Sequence, residues 1–148
     1  MAIEVLIRQR RYTVDVRRLC DVADATLDAV GRAGAPVTVT VSNDAFLRRL
    51  NGAYRGKDRP TDVLSFVYDE DDGPIGDIAI SIDRAAQQAA DRGHSLQDEL
   101  ELLTLHGTLH VCGYDHETDN GEMDAIERRL RRRLLRGASS NKRPRRAL

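Results

Sequence analysis

The chain has 148 residues and a formal net charge of −1, which leaves room for one domain with a single hydrophobic core. Apolar residues make up 41% of the sequence and charged residues 32%, a balance typical of soluble globular proteins, and no stretch approaches the about 18 apolar residues of a membrane-spanning helix. The N-terminus has no signal-peptide pattern and the two cysteines, Cys20 and Cys112, form no motif, so we expect a cytoplasmic protein with reduced thiols and no membrane partner.

The charge is distributed unevenly along the chain. Residues 128–148 contain ten Lys or Arg and no Asp or Glu, so residues 1–127 carry a net charge of −11 against +10 for the remainder. We expect residues 137–148 to form a disordered basic tail after a domain of residues 1–136. A segment of this charge is either a solvated end or an arm that contacts RNA phosphates, and the sequence leaves both interpretations open.

The first half of the chain predicts two strands and two helices. Alternating apolar residues are typical of half-buried strands, and Asp15 precedes a helical stripe of apolar residues as an N-cap would. The predicted elements are a strand over residues 3–7, a helix from Asp15 to near Gly31 or Gly34, a strand over 37–41, a short helix from about Asp44 to Gly52, and a loop over 54–60.

The second half predicts a β-hairpin followed by three helices. Its predicted elements are a strand over residues 62–68, an acidic turn over 69–74, a strand in which Ile78, Ile80 and Ile82 alternate, a helix over about 84–91, a helix that carries His106 and His110, and a last helix from about Thr118 or Asp119. Ser95 and Asp98 form a capping box for the histidine helix, which is apolar on most sides and should cross the middle of the fold. Because strands and helices do not alternate strictly, the predicted class is α+β, a single domain with a small mixed sheet of about four strands and about five helices.

Three of the four histidines lie within residues 106–116. His106 and His110 are four residues apart, so on a helix their rings lie roughly 6 Å from each other and can bind one ion. His116 would lie roughly 9 Å further along a continuous helix. A left-handed Gly113 can end the helix and return His116 to the other two. Three neutral imidazoles leave one open position on a tetrahedral ion, which is typical of a catalytic zinc or another divalent transition metal.

This spacing is also that of the metzincin zinc proteases, with one difference that matters chemically. A protease carries its general-base Glu where this chain has Gly107. Without that carboxylate most of the activation of the attacking water would be lost. The sequence therefore disfavours peptide hydrolysis.

The histidine segment His-Gly-Thr-Leu-His-Val-Cys-Gly-Tyr-Asp-His at 106–116 resembles the signature H-G-x-L-H-x-x-G-Y-D-H of the YbeY family of metal-dependent endoribonucleases. Residues 50–66 and 76–81 resemble two further stretches of that family, in the same order. The chain departs from the family at Val67, where proline is usual after Ser-Phe.

The resemblance implies a metal-dependent, single-strand-specific endoribonuclease of rRNA maturation, including the 3′ end of the small-subunit rRNA, and of ribosome quality control. It implies a zinc-like ion on His106, His110 and His116, and it matches Arg55 to an arginine of the active-site cleft. The partners that it implies are rRNA precursors and the ribosome or small-subunit ribosomal proteins.

The residues themselves are compatible with this chemistry. RNA supplies its own 2′-hydroxyl nucleophile and its own negative charge, and Arg55 has the planar donor fork that binds a phosphate. Lys57 and Arg59 either steer the RNA backbone or belong to a solvated loop, and Asp115 is predicted to orient a histidine. Turn or capping roles compete with catalysis for Asp62, Asp77 and Glu117.

Two alternatives remain open at this point. A metal-dependent hydrolase of another substrate would keep the three histidines and take its general base from elsewhere. A non-catalytic ribosome-assembly factor would keep the basic tail and use the zinc as a structural ion. The sequence determines neither the bond that is cut, nor the native metal, nor the oligomeric state.

Overall fold

The computed structural model of the chain describes residues 3–56, 61–68, 75–115 and 118–135. Within these ranges four strands and five helices follow one another: β1 (Ile3–Ile7), α1 (Val16–Ala29), β2 (Val37–Ser42), α2 (Asp44–Arg55), β3 (Val63–Val67), β4 (Gly76–Ser81), α3 (Ile82–Arg92), α4 (Leu96–Val111) and α5 (Glu122–Leu134). The predicted α+β class, the four strands and the five helices are confirmed.

The four strands form one mixed sheet in the order β1-β2-β4-β3. Strands β1, β2 and β4 are parallel, and β3 pairs antiparallel with β4 at one edge of the sheet. The predicted hairpin of β3 and β4 is therefore confirmed. In its register Ser65 lies opposite Ile78, and Phe66 lies opposite Asp77, so these two consecutive residues of β3 face opposite sides of the sheet.

Helix α4 lies in the centre of the molecule, as its sequence predicts. Eleven of its sixteen residues are buried, and it contacts strands β3 and β4 as well as helices α1, α3 and α5. One face of the sheet packs on α4 through Ile78 and Ile80, which belong to the main hydrophobic core. The other face buries Leu64 and Ala79 beneath Leu47 of α2.

Two carboxylates are fully buried on α4, and both have cationic partners. The Glu99 carboxylate accepts hydrogen bonds from Arg92, at 2.7 Å, and from His94, at 2.6 Å. The Glu101 carboxylate accepts one from the Arg18 guanidinium at 2.9 Å, a bond that raises the pKa of Arg18. A buried charge is tolerated only with such partners, so these pairs join α4 to α1, to the last residue of α3 and to the turn that follows α3.

The helix starts agree with the predicted caps at Asp15 and Ser95, whose side chains accept from the backbone N–H groups of Arg18 and Asp98. Helix α3 begins at Ile82, two residues before the predicted start. The Ser81 hydroxyl explains this difference, because it accepts from the Arg84 N–H and so caps the helix earlier.

Two predicted helix boundaries are wrong. Helix α2 continues to Arg55 rather than ending near Gly52, because the first residue in the left-handed conformation after it is Gly56, with φ 69°. Helix α5 begins at Glu122 rather than at 118 or 119. The Asp119 carboxylate accepts from the Met123 N–H at 2.9 Å, which makes residues 119–121 a capping turn rather than the first turn of the helix.

Some of the predicted features lie outside the described residues. These are His116, Glu117, Lys57, Arg59, the acidic turn 69–74 and the basic tail 137–148. The division into a domain of residues 1–136 and a tail therefore stays a prediction. Among the helices that the structure describes, none has the length and apolar character that crossing a membrane requires.

Candidate active site

Helix α4 brings the side chains of His106 and His110 together, as their spacing predicts. Their rings meet edge to face with centroids 4.6 Å apart. The two Nε2 atoms are 3.0 Å from each other. Both rings are partly buried, so the pair lies at the boundary between the core around α4 and the surface.

The other ring nitrogen of each histidine has a partner that only accepts hydrogen bonds. The His106 Nδ1–H donates to the Glu127 carboxylate of α5 at 3.0 Å. The His110 Nδ1–H donates to the Tyr114 carbonyl at 2.9 Å. A neutral imidazole whose Nδ1 carries the proton has its lone pair on Nε2, so both lone pairs point toward the same space between the rings.

The geometry of this pair fits a divalent metal ion. A tetrahedral zinc with Zn–N bonds of about 2.0–2.1 Å separates two ligand nitrogens by about 3.3–3.4 Å. The observed 3.0 Å differs from this by a few tenths of an ångström. Carboxylate and carbonyl partners at Nδ1 are also the usual second partners of zinc-binding histidines.

The complete ligand set is not contained in the described residues. Within residues 3–56, 61–68, 75–115 and 118–135, no group of three or more His, Cys, Asp or Glu side chains could hold a metal ion. The predicted third ligand, His116, lies outside these ranges. The metal site on three histidines therefore stays a prediction, for which the structure provides the geometry of the first two.

Gly113 ends the histidine helix in the way its position predicts. Its φ is +98°, a conformation that residues with a Cβ rarely adopt. The N–H groups of Gly113 and Tyr114 donate back to the carbonyls of His110 and Leu109, at 3.0 and 3.1 Å. This turn places the Tyr114 carbonyl against the His110 ring, so it positions one of the two rings directly.

Burial and Glu127 have opposite effects on His106. Burial lowers the pKa of this imidazole, whereas the hydrogen bond to Glu127, its charge and the charge of Asp62 together raise it above the ordinary value. The neighbouring Cys112 also has a pKa above its ordinary value because it is half-buried. This thiol therefore stays protonated at neutral pH.

Gly107 lies at a close contact between α4 and the sheet. A Cβ at this position would be 2.7 Å from Cγ2 of Ile78 and 3.3 Å from Oγ of Ser65. The Ser65 hydroxyl donates to the Gly107 carbonyl at 3.2 Å. The residue that replaces the protease general base thus has no space for a side chain, and a glutamate could not be accommodated there without moving the helix.

Arg55 is exposed at the last position of α2. In the part of the chain that the structure describes, no carboxylate lies within ion-pair distance of its guanidinium, and no hydrogen bond joins it to His106 or His110. Its role at a phosphate therefore stays a prediction.

The predicted roles of three aspartates can be compared with their contacts. Asp115 is exposed, and its carbonyl accepts from the N–H groups that follow it, at Thr118 and Asp119. The Nδ1 atoms of the two described histidines have other partners, so an orienting role for Asp115 stays a prediction. Asp62 accepts from the Val63 N–H at the start of β3 and from the Gln88 side chain. Asp77 accepts from the Tyr68 hydroxyl.

Glu127 is the site residue that the sequence analysis missed. In α5 it lies four residues after Met123 and three before Leu130, both of which are fully buried. Residues with this spacing share one helix face. A carboxylate within the apolar stripe of a helix was therefore the available signal, because such a group needs a polar partner inside the fold.

Comparison with known proteins agrees with the resemblance of the motif. The sequence model of the family described as "Endoribonuclease YbeY" matches residues 4–135. The chain belongs to this family. The Endoribonuclease YbeY of Nautilia profundicola is 43% identical over 83% of this chain and 85% of its own. That of Geobacter sulfurreducens is 41% identical over 84% of this chain and 87% of its own.

The fold is also that of a solved structure. The solution structure of TM1509 from Thermotoga maritima has a TM-score of 0.63 with this chain and covers 98% of it and 99% of its own length. At 24% identity this likeness shows the fold alone. The assignment to the YbeY family therefore rests on the sequence matches, and the likeness of the α+β architecture rests on the solved structure.

Proposed function

We propose that this chain is a metal-dependent endoribonuclease that cleaves single-stranded RNA during rRNA maturation. The observation that carries the proposal is the pair of converging Nε2 atoms on His106 and His110, each ring oriented by a hydrogen bond at Nδ1. Membership of the YbeY family, whose relatives carry the name endoribonuclease, provides the reaction class.

The residues of the chain prepare this site in two ways. His106 and His110, with His116 as the third ligand, would hold a zinc ion or another divalent transition metal. Glu127 and the Tyr114 carbonyl fix the tautomer and the orientation of two rings, which reduces the entropy lost when an ion binds. A zinc ion bound there supplies a Lewis acid and lowers the pKa of a bound water to about 7.

Arg55 is proposed to bind the scissile phosphate. It is exposed and has no carboxylate partner in the described ranges, so its charge is not neutralised within them. A guanidinium forms two parallel hydrogen bonds to phosphate oxygens and stabilises the charge that gathers on them during cleavage. Because RNA carries its own 2′-hydroxyl, the reaction needs no protein carboxylate at position 107.

The finer parts of the proposal rest on the family resemblance. They are action at the 3′ end of the small-subunit rRNA, a part in ribosome quality control, contact with the ribosome or small-subunit ribosomal proteins, and a cytoplasmic location. The basic residues after 127, ten Lys or Arg without a carboxylate, support a polyanionic partner.

The structure disfavours a peptidase that uses the same ligands. The atoms around Gly107 leave no space for a general-base side chain. A non-catalytic assembly factor with a structural ion remains the second candidate, since it would use the same histidines. Removal of the metal distinguishes these two functions. An enzyme would lose RNA cleavage and still bind ribosomal particles, whereas an assembly factor has no cleavage activity to lose.

The test combines metal analysis with cleavage of a defined rRNA precursor by the wild type and three variants. We expect about one zinc-like ion per wild-type chain, and neither metal nor cleavage in His110→Ala. Arg55→Ala should keep its metal and its fold but cleave about 10²-fold more slowly or worse. Arg17→Ala removes another exposed helical arginine and serves as the matched control, with unchanged rates.

Two results would contradict the proposal. Cleavage by His110→Ala at the wild-type rate would remove the metal from the reaction. A wild type that binds ribosomal particles and metal but cleaves no RNA would favour the assembly factor. Arg55→Ala with an unchanged rate would assign that residue to the solvated surface and leave the metal site intact.

A further inference from the structure

Three aromatic side chains lie together where the end of α2 packs against β3, and two of them are exposed. The chain has four tyrosines, two phenylalanines and no tryptophan, and three of these six rings belong to Tyr54, Phe66 and Tyr68. Tyr54 is 70% exposed and Tyr68 is 39% exposed. We call these three residues the aromatic patch.

Exposed apolar area is concentrated at this place. Among the described residues, the large hydrophobic side chains that are exposed are those of Val16, Tyr54, Val67 and Tyr68. All of these except Val16 lie at the end of α2 or in and after β3. A group of exposed apolar side chains is more informative than scattered single ones, because it is typical of a binding surface.

The rings of the aromatic patch are held in position by their neighbours. Tyr54 and Phe66 meet edge to face, with centroids 5.4 Å apart and planes at 67°. The Tyr68 hydroxyl donates to the Asp77 carboxylate, which together with burial and nearby Tyr54 raises the pKa of Tyr68 to about 12. Tyr54 is therefore held by its contact with Phe66, while most of its side chain remains exposed to solvent.

Two residues of the aromatic patch directly adjoin, along the chain, Arg55 and a residue that contacts the histidine helix. Tyr54 directly precedes Arg55 in the last turn of α2. Phe66 directly follows Ser65, whose hydroxyl donates to the carbonyl of Gly107 in the histidine helix. Since β3 is an edge strand, a chain passing around this edge would meet the aromatic patch on one side and the histidine helix on the other.

We propose that Tyr54 is a stacking surface for one unpaired base of the RNA substrate, beside the phosphate that Arg55 binds. This inference rests on the proposed function and names the group that holds the substrate. Stacking on an aromatic ring is tolerant of base identity. It requires a base that is not already stacked within a duplex, so Tyr54 would contribute to the preference for single strands.

The size of the aromatic patch favours a base over a protein partner. Each aromatic side chain covers about 150–250 Å² when it is fully buried, and only part of each of the three is exposed. This is less than the about 800 Å² per partner of a stable protein interface. The adjacent Arg55 adds a cation suited to a phosphate, which an apolar contact between two copies would leave without a partner.

The experiment measures binding of the full-length, metal-loaded chain to a labelled single-stranded 2′-O-methyl RNA by fluorescence anisotropy. The modified strand lacks the free 2′-hydroxyl, and gel analysis confirms that it stays intact. We expect Tyr54→Ala to weaken binding about 5- to 150-fold, the range for loss of one stacked base. Tyr54→Phe should bind like the wild type, and Val16→Ala is the control for loss of an exposed apolar side chain.

A second set of strands, each with one abasic position, identifies the stacked base. At one position in the strand, removal of the base should weaken binding of the wild type. The same removal should have no further effect on the affinity of Tyr54→Ala, because the missing base and the missing ring belong to the same contact. Circular dichroism of Tyr54→Ala confirms that the variant is folded. Equal affinity of wild type and Tyr54→Ala, or effects of the two changes that simply add, would overturn the proposal.

Two further outcomes keep this inference separate from the proposed function. If the wild type sediments as a dimer that Tyr54→Ala dissociates, the surface belongs to a second copy of the chain and the stacking proposal is wrong. If the wild type cleaves RNA and Tyr54→Ala binds it equally well, only the stacking proposal falls. A wild type that neither binds nor cleaves RNA would overturn both.

Discussion

At the scale of single residues, the histidines depend on groups that are not ligands. Glu127 approaches the His106 Nδ1 from a different helix, and its side chain is only 19% exposed. A carboxylate in this position orients the ring, favours protonation of Nδ1 and makes Nε2 a better donor to a metal. The orientation and protonation of a histidine on α4 therefore depend on α5, which carries none of the predicted metal ligands.

Glu127→Ala should weaken metal binding by about 10- to 100-fold, the usual effect of removing such a partner. Competition with a chromophoric chelator measures the affinity. Asp124→Ala is the matched control on the same helix, since Asp124 is 63% exposed and pairs only with Arg128 among the described residues. Equal affinities of Glu127→Ala and the control would show that the hydrogen bond does not support the site.

At the scale of elements, the close packing of α4 on the sheet depends on two glycines. A Cβ on Gly107 would lie 2.7 Å from the Ile78 side chain. A Cβ on Gly76 of β4 would lie 2.6 Å from both the Phe66 carbonyl oxygen and a methyl group of Val111. Each glycine thus leaves space for a side chain of the other element, Ile78 against Gly107 and Val111 against Gly76. This close packing brings the histidine helix next to the edge strand β3.

Gly107→Ala should destabilise the protein although alanine is the better helix former. Overpacking in a close contact costs about 1–3 kcal/mol, which the about 1 kcal/mol gained from helix propensity offsets only in part. The free energy of unfolding in urea measures the net change. Gln87→Ala at an exposed position of α3 should stay within about 0.5 kcal/mol of the wild type.

A stabilised Gly107→Ala variant would contradict this account of the packing, because it would mean that α4 can move away from Ile78 at no cost. Gly76→Ala provides a more severe comparison. Its Cβ would meet a backbone oxygen, which cannot rotate away as a side chain can. We therefore expect this second substitution to destabilise the protein more than the first.

At the scale of the whole molecule, the basic residues and the candidate active site occupy different parts of the chain. The histidine pair lies on the central helix α4, within residues 1–127, which carry a net charge of −11. A net negative charge repels RNA at long range. The ten cations after residue 127 would offset this repulsion, so binding and cleavage should be separable.

Removing residues 137–148 should weaken RNA binding without affecting the reaction at saturating RNA. The truncation deletes Lys142, Arg143, Arg145 and Arg146, and each lost phosphate contact lowers the slope of log affinity against log salt by about 0.7. Metal content and Tm should barely change, because the segment has no apolar stripe to bury. The same four residues replaced by Gln in a full-length chain serve as the control for length.

An unchanged salt dependence of the truncated chain would show that the tail has no part in RNA binding. A full-length chain with the four glutamines should behave like the truncated one if charge is the cause. A difference between these two variants would assign the effect to the length of the tail instead.

Local patterns in the sequence predicted most elements because each depends on neighbouring residues. Alternation identified the strands, and the side chains of Asp15 and Ser95 identified two helix starts. The predicted boundaries failed at Arg55 and Glu122. Small differences in capping decide whether α2 continues to Gly56 and whether Asp119 begins a turn or a helix. The spacing of apolar residues does not predict these differences.

By itself, the sequence determined that His106 and His110 share a helix face, that Gly113 ends that helix, and that the chain resembles the YbeY family. These properties depend on residues a few positions apart or on the order of short motifs. Only the tertiary structure decided that Glu127 orients His106, that Gly107 lies against Ile78, and that Tyr54 rests on Phe66. The partners in these contacts are 12 to 29 positions apart, and they meet only because burial of the apolar faces of α4, α5 and the sheet brings their elements together.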